Sequence, residues 1–67
     1  MTVRKLIEDI TGLDVKTEVI VRDYLKEERG KWYGTWLEKF YSREIYGYIH
    51  YVQNNRLVIE LAGEWNA

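Results

Sequence analysis

Residues 44–61 read E-I-Y-G-Y-I-H-Y-V-Q-N-N-R-L-V-I-E-L, and the rest of the fold is organised around this stretch. Two runs of β-branched and aromatic residues are separated by Gln53, Asn54 and Asn55. The pattern predicts a β-hairpin, because such side chains suit a half-buried pleated surface and the polar break suits a tight reversal of the chain.

The hairpin has two alternative registers, and a shift of one residue moves every side chain to the opposite face of the sheet. A two-residue loop, Asn54 and Asn55, pairs His50 with Ile59 and turns the histidine toward the core. A three-residue loop with Asn55 in the left-handed region pairs Ile49 with Ile59 instead. We favour the second register, because a buried neutral imidazole needs a hydrogen-bond partner. It predicts an inward set of Ile45, Ile49, Tyr51, Leu57, Ile59 and Leu61, and an outward set of Tyr46, Tyr48, His50, Val52 and Val58.

The first 25 residues predict a helix and then a strand. The helix is expected over about residues 3–11, with Thr2 as its cap and Gly12 at its end. Its apolar stripe consists of Val3, Leu6, Ile7, Ile10 and Leu13. The strand that follows is expected to turn Val15, Val19, Val21 and Leu25 toward the core, and Ile20 and Tyr24 toward the other face.

The middle of the chain predicts a charged turn, a return strand and a second helix. Residues 26–30 are the predicted turn and residues 31–33 the predicted strand. Thr35 and Glu38 match the capping box T-x-x-E, so a short helix is expected from Trp36 to near Ser42 or Arg43. The elements together predict one α+β domain over residues 1–67, in which an antiparallel four-stranded sheet carries an N-terminal helix and a short second helix in the order α-β-β-α-β-β.

Composition restricts how so small a domain is stabilised and where it resides. The chain has 67 residues, no cysteine and one histidine. A domain of this size buries only about 60% of the surface of its unfolded chain. Disulfides are excluded, and His50 cannot form a His/Cys zinc site without carboxylates or a second chain. We therefore expect no metal and no cofactor, and self-association becomes the favoured source of extra stability. No apolar run approaches the roughly 20 residues that cross a bilayer, and the first residues lack the core of a signal peptide. We therefore expect a cytoplasmic protein with no membrane partner.

The titratable residues do not predict catalysis. His50 is the single histidine, and the adjacent carboxylates fall on the predicted helix surface, at Glu8 and Asp9, and in the predicted turn, at Glu27 and Glu28. Catalysis needs such groups to converge in a cleft, and a chain this short has little room for one. We predict that the protein is not an enzyme.

The surplus of aromatic residues predicts a binding surface on the second face of the sheet. Contiguous apolar patches of this kind usually mark interfaces. The candidate protein-binding residues are Ile20, Tyr24, Tyr46, Tyr48, His50 and Val58. Coverage of the same face by the second helix is an alternative, and a structural homodimer is another.

A third alternative is a small nucleic-acid-binding protein that uses residues 29–43. In this segment cations that can neutralise phosphates alternate with aromatic rings that can stack on bases. The candidate nucleic-acid-binding residues are Arg29, Lys31, Trp32, Tyr33, Lys39 and Arg43. The formal net charge of −1 makes this partner less favoured than a protein.

The chain resembles small accessory proteins encoded by phages and prophages. The similarity rests on the opening V-R-K-L-I-E-D-I and T-E-V-I-V-R-D, on Y-G-T-W-L-E-K-F and on the closing N-N-R-L-V-I-E-L. The resemblance implies an accessory factor, and some proteins of this kind act by binding host enzymes, including CRISPR nucleases and other defence proteins. Together with the aromatic surface, it leads us to expect a non-enzymatic protein-interaction module that inhibits a host or bacterial enzyme by occupying its substrate or nucleic-acid site. It carries over no functional residue, because its motifs are folding signals.

Overall fold

The computed structural model describes residues 1–23 and 26–62. In chain order the elements are the helix α1 (Val3–Asp9), the strands β1 (Glu18–Arg22) and β2 (Glu27–Lys31), the 3₁₀ helix η1 (Thr35–Phe40), the strand β3 (Ile45–Tyr51), the 3₁₀ turn η2 (Val52–Asn54) and the strand β4 (Arg56–Leu61). Tyr24 and Leu25, which were predicted to lie on the two faces of the first strand, fall outside the described residues.

Helix α1 begins as the sequence predicts and ends earlier. The Thr2 side chain accepts a hydrogen bond from the Lys5 amide at 3.2 Å, which satisfies one of the free donors of the first turn. The helix ends at Asp9, because Ile10 adopts an extended conformation. Gly12 does have a positive φ of 91°, but it lies in the following loop and does not close the helix. With 7 residues, α1 is too short to span a bilayer, and no other helix in the described ranges is long and apolar enough to do so.

The sheet is mixed, so the prediction of a purely antiparallel sheet is wrong. The strand order is β2-β1-β4-β3, and β1 pairs with β4 in parallel. The other two pairings, β1 with β2 and β3 with β4, are antiparallel hairpins. The two central strands, β1 and β4, thus carry the buried residues of the sheet.

Strand β2 occupies the charged segment that was predicted to be a turn. It runs over Glu27–Lys31, and Trp32 and Tyr33 form the turn after it. An edge strand has one exposed flank and tolerates charged side chains. The high charge of this segment therefore led to the incorrect prediction of a turn. Val15, which was assigned to the core face, precedes β1 and is 71% exposed.

The second helical segment is a 3₁₀ helix without the predicted capping box. Its N-cap is Gly34, and no side chain caps it. Its buried residues are Leu37 and Phe40, which pack with α1 against one face of the sheet. We call this face the inner face and the opposite one the outer face. The buried core consists of Val3, Leu6, Val19, Val21, Leu37, Phe40, Leu57, Ile59 and Leu61.

The hairpin of β3 and β4 is confirmed, but both predicted registers are wrong. Tyr51 pairs with Arg56, so the loop has four residues and contains the turn η2. Asn55 closes the loop in the left-handed region, with φ 54°, as predicted. The longer loop pairs His50 with Leu57 and Tyr48 with Ile59.

This register reverses the faces of β3 that the favoured three-residue loop predicts, and it turns His50 inward as the two-residue alternative does. Directly opposed residues project to the same face of a sheet. Tyr48 and His50 therefore lie on the inner face, beside core residues of β4. Ile49 and Tyr51, which were predicted to point inward, lie on the outer face and are exposed.

Candidate functional site

Strand β3 forms an edge of the sheet, and most of that edge is open. The N-terminal segment covers its beginning, where the amide of Ile45 donates to Met1 O at 2.9 Å and the amide of Val3 donates to Arg43 O at 3.0 Å. From residue 46 to residue 51, no strand within residues 1–23 and 26–62 pairs with β3 along the edge that points away from β4. An edge of this kind presents free backbone donors and acceptors to another chain.

The two edges of the sheet differ in chemistry. Strand β2 reads E-E-R-G-K, and charged side chains on an edge strand discourage pairing with other strands. Strand β3 reads I-Y-G-Y-I-H-Y, has strong β-propensity and contains no acidic residue, lysine or arginine. Of the two edge strands, β3 is therefore the one without charged side chains that would discourage pairing with a strand of another chain.

Exposed apolar side chains are concentrated on β3 and the residue after it. Their exposed fractions run from 43% to 83%, with Tyr46 the most exposed. We call this set the β3 edge surface: Tyr46, Tyr48, Ile49, Tyr51 and Val52. It extends over both faces of the strand, because successive residues point to opposite sides.

The outer face is ordered into three rows that cross all four strands. The middle row is Arg29, Ile20, Val58 and Ile49. The row on one side is Glu27, Arg22, Glu60 and Gly47, and the row on the other side is Lys31, Glu18, Arg56 and Tyr51. The last three residues of the middle row form an apolar row that ends at Ile49 on the open edge and is flanked by two charged rows.

A shallow depression lies on the outer face above Gly47. An added Cβ at Gly47 would meet nothing within 4 Å. The depression has a volume of about 300 Å³ and is lined by Arg22, Tyr46, Gly47, Tyr48, Ile49, Val58 and Glu60. The missing side chain of Gly47 therefore leaves space for a large group from outside.

Ion pairs determine the charge of the flanking rows. Arg22 donates to Glu60 at 2.6 Å, and this hydrogen bond, together with the attraction of the carboxylate, raises the pKa of Arg22. The hydrogen bond to Glu27 raises the pKa of Arg29 in the same way. Both guanidinium groups are charged at any physiological pH. Arg56 has no ion-pair partner within the described part of the chain.

The predicted protein-binding residues do not share one surface. Ile20 and Val58 are neighbours on the outer face, as predicted, but they are only 6% and 8% exposed. Tyr46 and Tyr48 are exposed at the edge, and Tyr24 lies outside the described residues.

His50 does not contribute to an outward patch, because it lies on the inner face. Its Nε2 atom is buried and has no hydrogen-bond partner within the described residues. Its ring lies close to Gly12, where an added Cβ would stand 3.3 Å from Cε1. Ile49 and Tyr51, which do belong to the exposed edge, were not predicted from the sequence; the absence of charge over residues 45–51 was the signal that could have identified them.

The predicted nucleic-acid-binding residues are mostly engaged within the protein. Lys39 pairs with Glu28 at 2.8 Å, and Arg29 pairs with Glu27. The Trp32 indole donates to Asp14 O at 2.7 Å and packs against the core. Lys31 is exposed at the end of β2, and Tyr33 is an exposed ring beside Trp32. Arg43 follows η1 and is half-buried.

The described ranges contain no group of three or more His, Cys, Asp or Glu side chains that could hold a metal ion. Another depression, of about 370 Å³, lies between α1 and η1, where Arg4 and Glu8 form an ion pair with each other at 3.1 Å.

Comparison of the chain with models of protein families, with curated proteins and with solved structures gives no match. The geometry of the sheet and its edges therefore carries the functional conclusion.

Proposed function

We propose that the protein is a non-enzymatic protein-interaction module that binds through the β3 edge surface. One observation carries this proposal: an uncharged edge strand and the residue after it expose five large apolar side chains, while the other edge strand is protected by charge. Apolar patches on the surface of a soluble domain mark interaction sites.

The mechanism is β-strand addition. An extended segment of another chain pairs with residues 46–51, so that backbone hydrogen bonds supply affinity and side chains on alternate faces supply specificity. Ile49 and Tyr51 contact the added segment on the outer face, and Tyr48 contacts it on the inner face. No covalent or proton-transfer step is involved.

The resemblance to phage-encoded accessory proteins supports a more specific version, in which the partner is a bacterial or host enzyme. The protein would then inhibit by excluding the substrate or nucleic acid from the surface it occupies. This version has the resemblance as its support, whereas the edge strand supports protein binding in general.

The test compares the protein with Ile49→Lys and with the control Val15→Lys, in which another exposed apolar residue, outside the sheet, is replaced. Each is attached through its C-terminus and incubated with a bacterial lysate, and retained proteins are identified by mass spectrometry. Amide hydrogen exchange then maps the contact with a purified retained protein and, separately, the contact formed by the protein alone at rising concentration.

We expect protection of the β3 amides under at least one of these conditions, its loss in Ile49→Lys and its retention in Val15→Lys. Protection confined to other elements, or β3 amides that remain unprotected under every condition, would overturn the proposal.

A further inference from the structure

We propose that the occupant of the β3 edge is a second copy of this chain. The two β3 strands pair antiparallel about a twofold axis at Ile49 and create one continuous eight-stranded sheet. This inference rests on the proposed function, because it names the partner of the same edge. A twofold contact is self-complementary, so each feature of the edge must fit its own rotated copy.

The open and regular part of β3 determines where the axis lies. A β-bulge interrupts the register between Ile45 and Gly47, and the N-terminal segment covers the edge up to Ile45. The turn η2 begins directly after Tyr51. Regular pairing is therefore restricted to residues 47–51, whose midpoint is Ile49.

This register brings a glycine opposite an aromatic ring. With Ile49 facing its own copy, Gly47 of one chain lies opposite Tyr51 of the other, on the outer face. The depression above Gly47 is open in the single chain. A tyrosine ring laid over a glycine of a neighbouring strand fills such a space and shields the backbone beneath it. The contact occurs twice, once on each side of the axis.

The rows of the outer face also match their rotated copies. The apolar row that contains Ile20, Val58 and Ile49 meets the same row of the second copy, so six apolar side chains become contiguous. An antiparallel arrangement places the row that ends at Tyr51 next to the row that ends at Gly47.

These two flanking rows carry opposite charge. Lys31, Glu18 and Arg56 sum to +1, whereas Glu27, Arg22 and Glu60 sum to −1. Arg56, which has no ion-pair partner in the described part of the chain, then lies in one row with Glu60 of the second copy. A parallel pairing of the same two edges requires a rotation about the strand direction, which exchanges the outer and inner faces of one copy. The rows of opposite charge therefore meet only in the antiparallel arrangement.

The exposed area is sufficient for a small interface. A fully exposed aromatic side chain offers roughly 150–250 Å², so the β3 edge surface offers on the order of 500 Å² per copy. Two copies together offer at most about 1,000 Å², which is at the lower limit for a specific interface. We therefore expect a weak dimer that is populated at about 100 μM.

Sedimentation tests the dimer. The protein is expected to sediment as a dimer at about 100 μM, the control Val15→Lys to behave the same way, and Ile49→Lys to remain a monomer. The lysine variant places two ammonium groups opposite each other on the axis, and like charges directly across a strand pair are unfavourable. Because Ile49 is half exposed, circular dichroism is expected to show the variant as folded.

Single cysteines test the register, since the chain has none of its own. In Ile49→Cys the two thiols face each other across the axis, within the roughly 4.4–6.8 Å of Cα separation that a disulfide spans. In Tyr51→Cys the two positions are offset by four residues, about 13 Å along the strands. We expect mild oxidation to cross-link Ile49→Cys rapidly, and Tyr51→Cys and Val15→Cys slowly.

The outcomes separate the inference from the function on which it rests. A monomer at about 100 μM, with Ile49→Cys no faster to cross-link than Val15→Cys, overturns the second copy as occupant. If β3 amides are then protected by another protein, the proposed function stands with a different partner. If no protein protects the β3 amides, both the second copy as occupant and the proposed function are overturned. A dimer that cross-links fastest through Tyr51→Cys overturns the axis at Ile49.

Discussion

Among single residues, His50 has a buried polar atom that lowers the stability of the fold. The imidazole lies opposite Leu57 on the inner face, and its buried Nε2 has no hydrogen-bond partner within the described residues. A buried polar atom left without a partner costs about 1–3 kcal/mol. This cost was the reason to expect His50 outside. The observed four-residue loop nevertheless pairs His50 with Leu57, so His50 shares the inner face with the core residues of β4.

His50→Leu is therefore expected to leave the free energy of unfolding unchanged or to raise it by about 1 kcal/mol, since it removes an unsatisfied buried atom. Urea denaturation measures the change. The control is Leu57→Ala, directly opposite, which is expected to lose about 2–5 kcal/mol because it opens a cavity in the core. A loss of more than about 1 kcal/mol in His50→Leu would show that the imidazole contributes a stabilising hydrogen bond.

Between elements, two glycines on opposite edge strands have different roles. An added Cβ at Gly30 on β2 would lie 2.5 Å from Nε1 of Trp36, whereas the same atom at Gly47 on β3 meets open space. Trp36 packs directly on Gly30, and its indole donates to Lys31 O at 2.8 Å. Gly30 thus allows η1 to attach to β2, and Gly47 leaves the depression on the open edge.

Gly30→Ala is expected to displace the Trp36 ring and to lower the free energy of unfolding by about 1–3 kcal/mol, as overpacking does. Tryptophan fluorescence reports the displacement and urea denaturation reports the stability. The matched control is Gly47→Ala, which at low protein concentration is expected to be neutral or slightly stabilising. Equal losses of unfolding free energy in both variants would contradict specific packing of Trp36 on Gly30.

For the molecule as a whole, small size makes association energetically important. A chain of 67 residues has a stability of about 3–10 kcal/mol at the usual 0.05–0.15 kcal/mol per residue. A partner that binds only the folded form adds stability that grows with its concentration. A dimer through β3 therefore links stability to the concentration of the protein itself.

The melting temperature is expected to rise by about 4–8 °C between dilute and concentrated solutions, since domains of this size gain that much for each 1 kcal/mol. Circular dichroism or calorimetry at several concentrations measures the effect. Ile49→Lys is expected to melt at one temperature throughout. A concentration-independent melting temperature of the unmodified protein contradicts association at this edge.

The candidate site could be predicted from the sequence only in part. The surplus of tyrosines near the C-terminal hairpin indicated a surface with a binding role, and Tyr46 and Tyr48 are indeed exposed. Ile49 and Tyr51 were nevertheless predicted to lie in the core. That prediction is wrong because the loop is one residue longer than expected, and in a strand this difference exchanges the two faces.

Local sequence is enough to specify the features that depend on near neighbours. The Thr2 cap, the apolar stripe of α1, the position of the hairpin and the left-handed Asn55 each follow from residues a few positions apart. The strand order, the parallel pairing of β1 with β4 and the charged strand β2 emerge only in the folded chain. These features depend on which distant segments pack together in the core, and local sequence patterns do not specify such partners. The open edge of β3 belongs to the second class, because a strand lies at an edge only through the arrangement of the others.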